Sequence, residues 1–161
     1  MTLLEKLKNS TPHFLKEFKV YAPDKNIIES INLSGEYTTK GVSCACGNNE
    51  LVVFAYKEDT EEGTDYWAPA YLHCPKCGSR ELVFDPRLHG YDAQEGDCYS
   101  IVEQGNLNAV NSKPEKIYVS YCYTNTEDFE NEDISNLEDY FDMFALYIGG
   151  SNNLIFEYEC A

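Results

Sequence analysis

The chain has 161 residues, with 12 Lys and Arg against 28 Asp and Glu and a formal charge of −16 at pH 7. So negative a surface repels phosphate backbones and anionic lipid headgroups while drawing in cations and basic proteins, which argues against free nucleic acid as a ligand. Hydrophobic residues at 43% and aromatic residues at 14% are enough for a packed core, so the acidity belongs to a globular chain and not to a disordered one.

This length predicts a single compact domain over 1–161. No window approaches the roughly 18 apolar residues that span a bilayer, and the opening Met1–Lys8 is amphipathic without the apolar centre of a signal peptide. The expected location is therefore cytoplasmic.

Taken in order, Thr2-Leu3-Leu4-Glu5 forms a capping box ahead of a first helix carrying Leu3, Leu4 and Leu7. Thr11-Pro12 suits the N-cap and first position of a second short helix, with Phe14, Leu15 and Phe18 on one face. Beyond residue 25, short branched and aromatic runs alternate with Gly, Asn, Asp and Pro, the pattern of a β-rich chain. The expected strands are Asn26–Leu33, Glu50–Lys57, Tyr66–Leu72, Glu81–Phe84, Tyr99–Glu103, Lys116–Thr124, Tyr140–Ile148 and Leu154–Cys160. Loop 59–64 makes a hairpin of the second and third of these. The fold class expected is β-rich α+β, with N-terminal helices packed on an antiparallel sheet.

Charge is unevenly distributed along these elements. Residues 1–40 carry six lysines and five acids, whereas no Lys or Arg follows Lys116. Acids hold half of the positions from Glu127 to Asp142, including Glu127, Asp128, Glu130, Glu132, Asp133, Glu138 and Asp139. Tyrosines beside acids, as at Asp65-Tyr66, Tyr91-Asp92 and Asp139-Tyr140, offer phenols and carboxylates together, a combination suited to Arg and Lys side chains or simply to a solvated face.

The seven cysteines fall into two tight pairs, Cys44-Ala-Cys46-Gly47 and Cys74-Pro-Lys-Cys77-Gly78, with Cys98, Cys122 and Cys160 standing alone. In a reducing compartment two such pairs favour metal thiolates over disulfides. Each pair is followed by glycine, the residue that turns back with positive φ and leaves amides free to point at sulfur. Val42–Phe84 resembles the zinc-ribbon family, in which two knuckles and the strands behind them clamp one zinc ion. The resemblance implies that Cys44, Cys46, Cys74 and Cys77 are ligands and that a zinc-ribbon lobe at 42–84 is embedded in the fold; charge and strand patterning add an acidic β-rich part at 98–161. The first pair is C-x-C where the family usually has C-x-x-C, which leaves His73 as a conceivable substitute ligand. Four thiolates close the coordination shell, so the zinc would be structural.

Other constellations are weaker. In Arg87–Asp97, His89 and Asp92 could share a proton or help hold a second metal, the basis of an alternative reading as a metal-dependent or acid/base hydrolase. A polar turn explains the same residues. Cys98 with His89 is a faint nucleophile–base pair, His13 reads as structural, and Cys122 and Cys160 read as core thiols. No nucleophile elbow, phosphate loop, dinucleotide fingerprint or zincin helix is present.

The function expected is therefore non-enzymatic: an acidic, zinc-stiffened protein that binds a basic protein partner through the Glu127–Asp142 acids. In size and charge the chain resembles bacterial toxin-immunity proteins, which would make the partner a nuclease toxin. A structural subunit of a larger assembly is the other alternative.

Overall fold

The computed structural model describes residues 11–31, 37–89, 106–123, 141–149 and 153–159. The expected first helix carrying Leu3, Leu4 and Leu7, the strand at Tyr99–Glu103, Cys98, Cys160 and the acids of Glu127–Asp139 lie outside them.

Among the described residues, nine strands form one antiparallel sheet: β1 (Phe18–Tyr21), β2 (Thr38–Cys44), β3 (Glu50–Thr60), β4 (Gly63–His73), β5 (Arg80–Phe84), β6 (Asn106–Ala109), β7 (Glu115–Tyr123), β8 (Phe141–Ile148) and β9 (Leu154–Glu159). One run of neighbours is β1-β2-β7-β8-β9, and another is β6-β3-β4-β5. They join where Glu50 and Leu51 of β3 pair with Lys116 and Glu115 of β7. From that junction the sheet curls until β5 lies over β8, with Phe84 stacked on Phe144 at 4.2 Å and 9°. Phe14 meets Phe84, Tyr121 and Phe144 edge-on at 5.1–6.0 Å, closing one side of the core.

Strand periodicity assigns the faces. Leu51, Val53 and Ala55 of β3 point inward, while Val52, Phe54 and Tyr56 between them remain half-buried. β7 and β8 are buried on both faces, which is why they read as nearly continuous apolar runs. Ile117, Val119, Tyr121, Phe144, Leu146 and Ile148 enter the main core. Tyr118, Cys122, Met143, Ala145 and Tyr147 form a second cluster on the opposite face, so Cys122 is a packed thiol as its sequence context suggests.

That second face is covered by α1 (Lys25–Ile31), and here the strand expected at Asn26–Leu33 is corrected. Ile27 and Ile31 are four residues apart, the spacing that brings two side chains onto one helical face, whereas Ile28 is left 50% exposed. Asp24 supplies the carbonyl for the first amides, Ile27 and Ile28, at 3.0 and 3.2 Å. Branched residues outweigh this start signal when propensity is read alone.

The second N-terminal helix is corrected as well. His13–Leu15 is a single 3-10 turn, and Phe18 opens β1. Phe14, Leu15 and Phe18 do enter the core, but from a turn and a strand and not from one helical stripe. A short helix, α2 (Pro86–His89), follows β5.

At the junction, β3 changes partner along its length: β7 at residues 50–51, β6 at residues 54–57. The buried side chain of Asn111 fills the gap. Its Oδ1 accepts the Val53 N–H at 2.8 Å, and its Nδ2 donates to the carbonyls of Leu51 at 3.0 Å and Lys113 at 2.7 Å. One amide side chain thus substitutes for the missing stretch of strand.

Candidate metal centre

The loops after β2 and after β4 lie side by side at the base of the β3–β4 hairpin. In the first, Cys44 closes β2, its N–H donates to the Asn48 carbonyl at 2.9 Å, and the Gly47 N–H returns to the Cys44 carbonyl at 2.8 Å. In the second, the Cys74 N–H donates to the Ser79 carbonyl at 2.9 Å and the Gly78 N–H to the Cys74 carbonyl at 2.8 Å. Gly47 and Gly78 have φ of 97° and 80°, the left-handed region expected of the residue after each pair. Nothing lies within 4 Å of an added Cβ at either position, so glycine is required by backbone conformation and not by space. The C-x-C loop reaches the same reversal as the C-x-x-C loop with one residue fewer.

These turns bring the Sγ atoms of Cys44, Cys46, Cys74 and Cys77 within 4.8 Å of one another. Two of the separations run between the loops, Cys44 to Cys77 at 3.5 Å and Cys46 to Cys74 at 3.6 Å. A tetrahedral cation with metal–sulfur bonds of about 2.3 Å sets its thiolates about 3.8 Å apart, so the donor set fits a tetrahedral soft-metal site. The four cysteines are not disulfide-bonded.

Around the sulfurs lie two polar side chains that the cysteine spacing does not announce. Asn48 donates from Nδ2 to Cys74 Sγ at 3.4 Å and to the Glu50 carbonyl at 2.9 Å, while its Oδ1 accepts the Glu50 N–H. Ser79 Oγ lies 3.3 Å from Cys44 Sγ and 3.2 Å from Cys77 Sγ. Their positions, each directly after a knuckle glycine, are the only signal in the sequence that could have marked them.

The cluster shifts its own acidities. Burial favours the neutral thiol of Cys74, but donation from Asn48 and from the amides of Cys77 and Lys76 outweighs it and brings that thiol down to about 6. The Ser79 hydroxyl and amide hold Cys77 below the ordinary thiol range. At Cys46 the Asn48 amide favours the thiolate, but desolvation and the three neighbouring sulfurs prevail and push the thiol up to about 11. Four thiolates so close cannot all ionise by themselves, and a divalent cation at their centre removes the conflict.

His73 is not one of the four clustered donors. It ends β4, and its ring meets Phe54 edge-on at 6.1 Å, next to the Arg80 guanidinium 3.8 Å above the same Phe54 ring. Asp92 and the side chain of His89 lie outside what the structure describes. A groove of about 620 Å³ is lined by Lys113, Glu115, Ile148, Asn153 and Leu154 among others, and among the described residues neither histidine nor cysteine is part of its lining. Among the described residues, no helix is long and apolar enough to cross a membrane.

No family model matches the chain, and neither a curated protein nor a solved structure matches it.

Proposed function

We propose that the chain is a non-catalytic binding protein whose four-cysteine centre holds a structural zinc ion in a zinc-ribbon-like lobe, and whose acidic surface receives a basic protein. The observation that carries the reading is the convergence of four sulfurs, with no fifth donor in the cluster among the described residues, at the foot of a long acidic hairpin. Thiolates in that number favour a soft, tetrahedral cation and leave no coordination position for a substrate or activated water.

The centre bridges the end of β2 and the turn between β4 and β5, so a bound ion would tie the two runs of the curled sheet together beside their junction. From there β3 and β4 each run 11 residues to a tip carrying exposed Asp59, Glu61, Glu62 and Asp65. At about 3.3 Å per residue the tip stands roughly 30 Å from the metal. A scaffold fixed at one end and strongly negative at the other suits capture of a cationic surface, and a nuclease with a basic cleft is the partner class that charge favours.

The test is recovery of partners by the metal-loaded protein, followed by association rates at several ionic strengths. The reading requires a basic partner and a rate that falls by about tenfold or more between low and physiological salt. A neutral partner, or a rate indifferent to salt, overturns it.

A further inference from the structure

We infer that the metal clip can be exchanged for two disulfides across the knuckles, Cys44–Cys77 and Cys46–Cys74, so that oxidation replaces the ion and keeps the fold closed. The inference rests on the four-cysteine metal site proposed above and adds a second state to it.

Its basis is how exposure and proximity are distributed over the cluster. Cys46 and Cys77 are exposed, whereas Cys44 and Cys74 are buried. Each close sulfur pair joins one of each kind: exposed Cys77 to buried Cys44 at 3.5 Å, exposed Cys46 to buried Cys74 at 3.6 Å. An oxidant from solvent therefore meets one sulfur of each pair, and a resolving sulfur waits behind it on the other loop. Either exposed sulfur, Cys46 or Cys77, can be the first point of attack, and the steps are the same from both.

With a hydroperoxide as oxidant the chemistry balances. The Cys46 thiolate attacks one peroxide oxygen, the O–O bond breaks, and hydroxide leaves as sulfenic acid forms. The Cys74 thiolate then attacks that sulfur and expels a second hydroxide, forming the S–S bond. Two thiolates are oxidised to one disulfide, one hydrogen peroxide is reduced, and two protons from solvent convert the hydroxides to two waters. The same sequence on Cys77 and Cys44 consumes a second peroxide. The ion, deprived of its ligands, is released.

Both new bonds connect the loop after β2 to the loop after β4, the same two segments the ion ties together. A bridge within a knuckle, Cys44–Cys46 or Cys74–Cys77, would leave those segments unconnected. Cross-knuckle bonds thus predict an oxidised protein that is metal-free yet as constrained as the loaded one, since a disulfide acts chiefly by restricting the unfolded chain.

The experiment compares three forms of the full chain: metal-loaded, reduced and chelated, and metal-loaded then treated with hydrogen peroxide. Zinc content is measured first. Peptide mapping of the oxidised form is expected to link Cys44 to Cys77 and Cys46 to Cys74, with zinc released in step. Its thermal midpoint should stay within about 5 °C of the loaded form, while the chelated form falls by about 10 °C or more. Cys46→Ser should slow zinc release by peroxide and leave only the Cys44–Cys77 link. Intra-knuckle links, or an oxidised midpoint as low as the chelated one, overturn the exchange alone. A purified protein without zinc, that stays metal-free when zinc is supplied, overturns the metal reading and the exchange with it.

Discussion

Asn111 carries more of the architecture than its type suggests. A buried amide that makes three main-chain hydrogen bonds occupies the point where β3 leaves one partner for another. Asn111→Ala would leave the Val53 N–H and the Leu51 carbonyl without these partners inside the core, at a cost of about 1–3 kcal/mol. Equilibrium urea unfolding reads this as a lower midpoint, and a variant as stable as the parent would show that water replaces the side chain. The same scale governs the metal centre. Asn48→Ala removes the Nδ2 donor to Cys74 Sγ and the brace to Glu50, which should weaken zinc about 10- to 100-fold in competition with a chromogenic chelator. Unchanged affinity would mean that the main-chain amides alone support the thiolates. Neither asparagine stands out in the sequence, since a capping, turn or ligand-bracing Asn looks the same until its neighbours are known.

At the scale of elements, the pairing of β1 with β2 shows how one glycine and one aromatic residue are matched. Gly41 faces Tyr21 across the ladder, and a Cβ at Gly41 would collide with the Tyr21 ring, so the ring takes the space that a side chain on β2 would fill. Burial, then the neighbouring Tyr118 and Asp24, push the Tyr21 phenol from 10.0 to about 12. The folded state therefore holds the phenolic proton more tightly than the unfolded chain. The stability this provides is complete below pH 10 and is lost as pH rises from about 10 to about 12. Unfolding midpoints at pH 9 and pH 11 should show the fall, and Tyr21→Phe should flatten it. An unaltered slope in that variant would assign the effect to other groups, such as Tyr147, which burial and Glu157 also raise. Elements also show where periodicity misleads. The strands β3, β4, β5, β7, β8 and β9 follow the expected ones to within a few residues, because turn residues and alternation agree there. β1, β2 and β6 were not expected: β2 contains Thr-Thr-Lys-Gly, and β6 is Asn-Leu-Asn-Ala, whose strand character comes from pairing with β3.

For the molecule as a whole, a charge of −16 is a standing repulsion that folding concentrates in a smaller volume. Screening should relieve it: raising sodium chloride from about 10 mM to about 300 mM should lift the thermal midpoint of the metal-loaded protein by a few degrees. A midpoint that falls with salt would mean that attractive pairs dominate. Two ion pairs on the described surface are exposed and long, Lys25–Glu29 at 3.8 Å and Lys57–Asp59 at 3.7 Å, and contribute little against that repulsion.

The β-rich class, the main hairpin, the four cysteines and the need for glycine after each pair were legible in the chain itself, because they depend on local spacing: alternation, turn chemistry and the short reach of a knuckle. Which sulfurs meet across the two loops, which of them face solvent, how Asn111 joins two runs of strands, and why Lys25–Ile31 is a helix over a buried sheet face were decided only in three dimensions. Those properties arise from segments far apart in sequence meeting, and no local pattern encodes the partner that each of them finds.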